Sequence, residues 1–180
     1  SMNWNIPIRW GLISGLASVI LSILIYITTP ESFASMWFGF LGLGIALFFM
    51  IWGGVSFRRE NNNHISFVQA LGAVLIIGAI SSLLTSLFSY ILFNFIDVNL
   101  ADLLKQKVIE NTTEMLEKFN TPEDATEAAL DKIKEQDFHF GLKEFAIRYL
   151  QGLGFYAVLG AIVSAFIKRP DEKAVAPTEE

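Results

Sequence analysis

The chain has 180 residues, 53% of them hydrophobic and only 17% charged, with a mean hydropathy of +0.48. Average soluble domains are about 45–50% apolar and about 25% charged, so this composition is that of an integral membrane protein. The 13 Lys and Arg against 18 Asp and Glu leave a net charge of −5 and no basic footprint for nucleic acid, and zero Cys excludes disulfides, thiolate nucleophiles and cysteine zinc sites.

A spanning helix needs about 20 mostly apolar residues, and four runs qualify. The first, Trp10 to Ile27, is uncharged over roughly 18 residues, longer than the usual core of a signal peptide, and is read as a retained span. Thr28, Thr29 and Pro30 close it. The second, Phe33 to Phe57, is uncharged over roughly 25 residues and stops at Arg58–Arg59–Glu60. The third, Ile65 to Ile96, is uncharged over roughly 32 residues, long enough to tilt. Ser66 followed three residues later by Gln69 predicts a capping box at its start. The fourth, Phe145 to Ile167, carries one charge, Arg148, near its beginning and is closed by Lys168–Arg169–Pro170. Lipid offers no partner to an unpaired backbone group, so all four are helices.

Residues 97–144 lie between the third and fourth spans with six Lys against twelve Asp and Glu, a local net charge of −6. Leu100, Leu103, Leu104, Val108, Met115, Leu116 and Phe119 recur at helical spacing, with Asn99 as cap, Asp102 in the first turn and a break near Asp97–Asn99. Thr121–Pro122–Glu123–Asp124 reads as a second helix start, with Thr121 at the N-cap and Pro122 at N1. That helix is expected to run to about Gln136 and to turn Ala125, Ala128, Ala129 and Ile133 inward. The predicted architecture is an all-α membrane protein, four transmembrane helices with a helical hairpin between the third and fourth.

Arg9, Arg58, Arg59, Lys168, Arg169 and Lys173 fall on one side of this topology, whereas the loop Thr28 to Phe33 has neither Lys nor Arg. The positive-inside rule then places both termini in the cytoplasm and the hairpin outside. Residues 1–9 are the cytoplasmic N-terminus, 10–96 hold the first three spans, 145–167 the fourth, and 168–180 a cytoplasmic tail expected to be disordered.

Convergent catalytic groups are hard to assemble here. The two histidines, His64 and His139, fall on opposite sides, and no nucleophile elbow, phosphate loop or paired-histidine motif occurs. The reading is non-enzymatic, with no metal and no cofactor. An enzyme acting on lipid could invoke Asp97, His139 and Arg148, but no motif joins them. No ionisable residue sits mid-span, which disfavours ion or proton transport. Asp97, Lys143 and Glu144 are expected to pair with Arg148 as an interfacial charge tie. Small and hydroxyl residues mark helix faces: Gly11 and Gly15 with Ser18 and Ser22 on the first span, and Gly78, Ser82, Thr85 or Ser86, and Ser89 on the third. Two uses stay open for these faces, close helix packing or a hydroxyl-lined conduit.

Several segments resemble a known family. They are Gly11–Leu12–Ile13–Ser14–Gly15–Leu16, Ile65–Ser66–Phe67–Val68–Gln69–Ala70, Phe93–Asn94–Phe95–Ile96–Asp97, and the stretch from Met115 through Leu116–Glu117–Lys118–Phe119–Asn120 to Thr121–Pro122–Glu123–Asp124. In order and spacing the chain resembles the bacterial membrane family catalogued as domain of unknown function 4199. That family's pattern often has Gly-Glu where Val68–Gln69 stands here, and Pro at the position of Val98. The resemblance implies a four-helix inner-membrane protein and no established activity. The layout is also similar to that of tetraspanins, without their cysteine motifs, an analogy of architecture only.

The leading functional expectation is an adaptor or assembly protein of the inner membrane. It would bind an unknown membrane or envelope protein through Met115, Phe119, Phe138, His139 and Phe140, with a homodimer as a further possibility through the hairpin or the small-residue faces. The alternative is a small oligomeric channel or transporter for a neutral or lipid-like solute, using Gly78, Ser82, Ser86 and Ser89.

Overall fold

The four apolar runs become four long helices in the computed structural model, which describes residues 1–170. The tail expected to be disordered lies, from residue 171 on, outside the described residues. The helices are α1 (Asn5–Thr28), α2 (Met36–Glu60), α3 (Phe67–Ile91), α4 (Leu100–Lys118), α5 (Glu123–Glu135) and α6 (Leu142–Ile167). A 3-10 turn, Pro30–Ala34, joins α1 to α2, and α3 continues through one widened π turn, Leu92–Ile96. α1, α2, α6 and the 30-residue rod Phe67–Ile96 are long and apolar enough to cross a bilayer. The protein is an all-α, multi-pass membrane protein.

Helix ends depart from the apolar runs where polar residues can still be helical. α1 starts at Asn5, ahead of Trp10, because Pro7 in the first turn needs no N–H partner and the Asn3 side chain accepts from the Asn5 N–H at 3.2 Å. α2 starts at Met36 instead of Phe33, since the 3-10 turn consumes Phe33 and Ala34. α3 starts on the expected capping box: the Gln69 N–H donates to Ser66 Oγ at 3.2 Å and the Ser66 N–H to Gln69 Oε1 at 2.9 Å.

α3 is the central helix, packed on α1, α6 and α2. Two apolar clusters brace the bundle, one toward each end. The first joins Met50 and Phe57 of α2, Ala70, Ala73 and Val74 of α3, and Val163 and Ile167 of α6. At that end the Ile65 and Arg169 backbones exchange two hydrogen bonds, 2.8 and 2.9 Å, and the Arg58 guanidinium donates to the Ile167 carbonyl at 2.8 Å. A cation there meets the partial negative charge of the α6 C-terminus. The second cluster joins Leu92 to Leu100 and Leu104, with Tyr26, Phe33, Phe93 and Phe138 against them.

α4 and α5 pack on each other beside this second cluster. α4 ends in a complete Schellman motif: Asn120 has φ 51°, its N–H bonds the Glu117 carbonyl, and the Thr121 N–H bonds the Leu116 carbonyl. That motif uses Thr121, so α5 begins one residue later than expected, with Pro122 at the N-cap. The inward face of α5 is Thr126, Ala129, Leu130 and Ile133, while Ala125 and Ala128 are exposed, a correction of one helical position. The break before α4 falls at Asp97–Asn99 as expected, but its cap is different. The Asp97 carboxylate accepts the Asn99 N–H at 3.2 Å, and the Asn99 side chain makes no capping bond.

Candidate functional site

Between the two apolar clusters the bundle is open. A cavity of about 350 Å³ lies between the first half of α2 and the core of α1, α3 and α6. The glycines of α2 explain why. A Cβ placed on Gly53 would lie 2.6 Å from Ile77 Cδ1, and one on Gly54 would collide with Ile167, so this half of α2 presses against its neighbours. At Gly39 and Gly42 a Cβ would meet nothing within 4 Å, and both glycines line the cavity. The helix is therefore clamped at its second half and splayed at its first, and the cavity is the wedge between.

The wall opposite α2 carries hydroxyls: Ser18 and Ser22 of α1, Ser81, Thr85 and Ser89 of α3, and the Tyr156 phenol of α6. Thr85 donates to the Ser81 and Ser82 carbonyls at 3.1 and 3.0 Å, and Ser22 to the Ser18 carbonyl at 2.9 Å. The protons of Thr85 and Ser22 are thus spent on their own helices, which leaves the lone pairs of these two oxygens to accept from a ligand. Phe38, Leu43, Ile45 and Ala46 of α2 and Phe155 of α6 make the rest of the lining apolar. Among the described residues the Tyr156 phenol is the one ionisable group in the lining. A neutral molecule with an apolar body and a hydrogen-bonding polar group fits such a site.

The hydroxyl stripe expected on α3 is rotated by about one residue from this wall. Gly78 and Ser82 face α6: a Cβ on Gly78 would lie 2.5 Å from Tyr156 Cδ1, and one on Gly152 would lie 2.9 Å from Ser82 Oγ. Ser86 is half-buried and does not line the cavity, whereas Ser89 does. Gly11 and Gly15 are taken up inside the chain, since a Cβ on either would run into Ile80 or Leu84 of α3 at 2.9 and 2.5 Å. That face is therefore taken up by the α1–α3 contact within the chain. The Ser14 and Ser81 hydroxyls close this contact at 3.0 Å.

The candidate partner patch divides. Phe140 is 5% exposed and packs between Phe93 and Phe145, and Phe138 joins the second apolar cluster. Met115, Phe119 and His139 remain at the surface. The expected charge tie is not made: Arg148 lies over the Phe140 ring, 5.2 Å from its centroid, while Asp97 accepts the Tyr26 hydroxyl at 3.1 Å. The guanidinium thus has a π face beside it, and the Asp97 carboxylate is engaged elsewhere. No group of three or more His, Cys, Asp or Glu able to hold a metal occurs among the described residues.

The model of the family described as a protein of unknown function, DUF4199, matches residues 9–169. The chain belongs to the DUF4199 family. No curated protein and no solved structure matches it. In this DUF4199 chain each segment that carried the resemblance has a structural task. Gly11 to Leu16 is the α1–α3 contact, and Ile65 to Ala70 is the α3 cap with the Arg169 bridge. Phe93 to Asp97 holds the widened turn, where the Asn94 amide donates to the Phe140 carbonyl at 2.6 Å and to the Tyr90 carbonyl at 2.8 Å. Sequence reasoning missed Asn94 and Arg58. An amide inside an apolar run was the available signal for the first, because such a group needs a partner.

Proposed function

We propose that this DUF4199 protein is a non-enzymatic carrier or small transporter that takes up a neutral, lipid-like molecule in the wedge beside α2. The observation that carries this reading is the uncharged, hydroxyl-lined wall facing an apolar one across about 350 Å³. Ligand sites are typically 300–1,000 Å³ and mostly apolar with a few oriented polar groups, which this wedge matches. A charged solute would pay at least ~2.5–3.5 kcal/mol at mid-membrane without a countercharge in the lining. We further assign the Arg58–Arg169 end to the cytoplasm on the positive-inside pattern, and the protein to a bacterial inner membrane on what its family resemblance implies.

The second reading is the adaptor. It is favoured by α5, whose packing is chiefly on α4, and by the exposed Met115, Phe119 and His139. One experiment separates the two. The full chain is extracted from its native membrane in mild detergent, and both small molecules and proteins that co-purify are identified. Gly42→Leu is run in parallel, because Gly42 lines the wedge and a Cβ there meets nothing within 4 Å. The carrier reading expects an uncharged amphiphile bound near one to one, lost in Gly42→Leu with yield unchanged. A stoichiometric protein with no small molecule would transfer the assignment to the adaptor.

A further inference from the structure

α4 carries a second surface whose position follows from how it leaves the bundle. Its first turns, Leu100 and Leu104, pack against Tyr26 and Phe33 in the second apolar cluster. Over the next three turns Val108, Asn111, Thr112 and Met115 line a groove of about 320 Å³ together with Ala34, Ser35 and Met36. Leu100 and Met115 are roughly 22 Å apart along a helix rising about 1.5 Å per residue. A helix continuing along the bundle axis would have carried Met115 that far away from Met36. α4 therefore lies across the end of the bundle, past the 3-10 turn and over the start of α2. Glu31 of that turn also acts on Lys107 of α4, helping to hold the Lys107 ammonium above its ordinary range after its closer partner Glu110.

Met36 is the first residue of a span and Trp37 the second, and both point outward, Met36 at 71% exposure. They mark the boundary between hydrocarbon and headgroups on this side of the bundle. Met115 shares a groove with Met36 and so lies near its depth. Phe119, one turn beyond, is 77% exposed, with Lys118 beside it able to extend toward water. Met36, Met115 and Phe119 are thus three exposed apolar side chains that lead from the lipid-facing side of α2 to the end of α4, with Ser35, Asn111 and Thr112 supplying the polar part of the groove between them.

We propose that Met115 and Phe119 are a membrane anchor: the C-terminal turn of α4 is seated in the headgroup layer, with the Phe119 ring at the top of the acyl chains. The occupant of this surface is the bilayer. The proposal does not depend on what the wedge beside α2 binds.

The absence of cysteine from the chain makes the test direct. Phe119→Cys, and separately Met115→Cys, is labelled with a nitroxide in the full chain reconstituted in phosphatidylcholine bilayers. Glu127→Cys on the exposed face of α5 is the aqueous reference. Collisions with oxygen, which concentrates in lipid, are compared with collisions with a water-soluble nickel chelate. The expected result is an oxygen-to-nickel ratio several-fold higher at 119 and 115 than at 127. A ratio equal to that at 127 overturns the proposal. Shielding from both reagents also overturns it, because that is the signature of a protein surface covering these side chains.

Discussion

Asp137 and His139 form a pair two residues apart in the loop before α6. One carboxylate oxygen accepts both the His139 backbone N–H, at 2.9 Å, and its ring Nδ1, at 2.6 Å. The Asp137 hydrogen bond and charge raise the imidazole above its ordinary 6.5, and the His139 backbone N–H, then its ring, lower the Asp137 carboxyl below 3.8. The imidazolium form is the one held in the folded loop. What it contributes to loop order is complete below 6.5 and is lost as pH rises through the raised folded value. Asp137 contributes above 3.8 and loses that as pH falls through its lowered value. A proton NMR titration of His139 should show a midpoint that drops in Asp137→Asn; an unchanged midpoint would refute the pairing. Both side chains are exposed, so the effect belongs to the loop and leaves global stability nearly untouched.

At the scale of elements, the widened turn Leu92–Ile96 is where the spans meet the helices beside them. Its Asn94 amide is the tie from α3 to the Phe140 carbonyl, and Phe140 is buried beneath Arg148. Asn94→Leu removes the donor and leaves that carbonyl without it, at a cost of about 1–3 kcal/mol. Hydrogen exchange should then quicken at Leu100–Leu104 and at Phe140, while the α1–α3 contact keeps its protection. Uniform loosening of the whole chain would show that Asn94 is only one packing residue among many. The spans themselves were legible from sequence because apolar length alone defines them, and the Ser66–Gln69 box was legible because it is a purely local motif. The azimuth of α3 was not. Gly78, Ser82 and Ser89 share one face on a helical wheel, yet two of them meet α6 and one meets the cavity, which depends on how far the neighbouring helices approach. Arg148 likewise read as a charge seeking a charge, because nothing local announced that Phe140 would fold beneath it.

For the molecule as a whole, the basic residues Arg58 and Arg169 gather at the end where Ile65 closes the bundle, and the acidic α4–α5 pair occupies the other. Single cysteines at His64 and Glu127 should therefore react oppositely with a membrane-impermeant maleimide on intact cells: Glu127→Cys labelled, His64→Cys protected. The reverse pattern would invert the assigned topology. The clamped and splayed halves of α2 have one further mechanical consequence. α2 behaves as a cantilever, fixed where Gly53 and Gly54 lie against Ile77 and Ile167, open at Gly39 and Gly42, and touched near its tip where Phe38 meets Phe33 of the 3-10 turn. α4 rests on that same turn, next to the tip, where the lever arm is longest. A force applied to α4 at the membrane surface bends the tip more than the root, so the mouth of the wedge yields while its floor stays fixed.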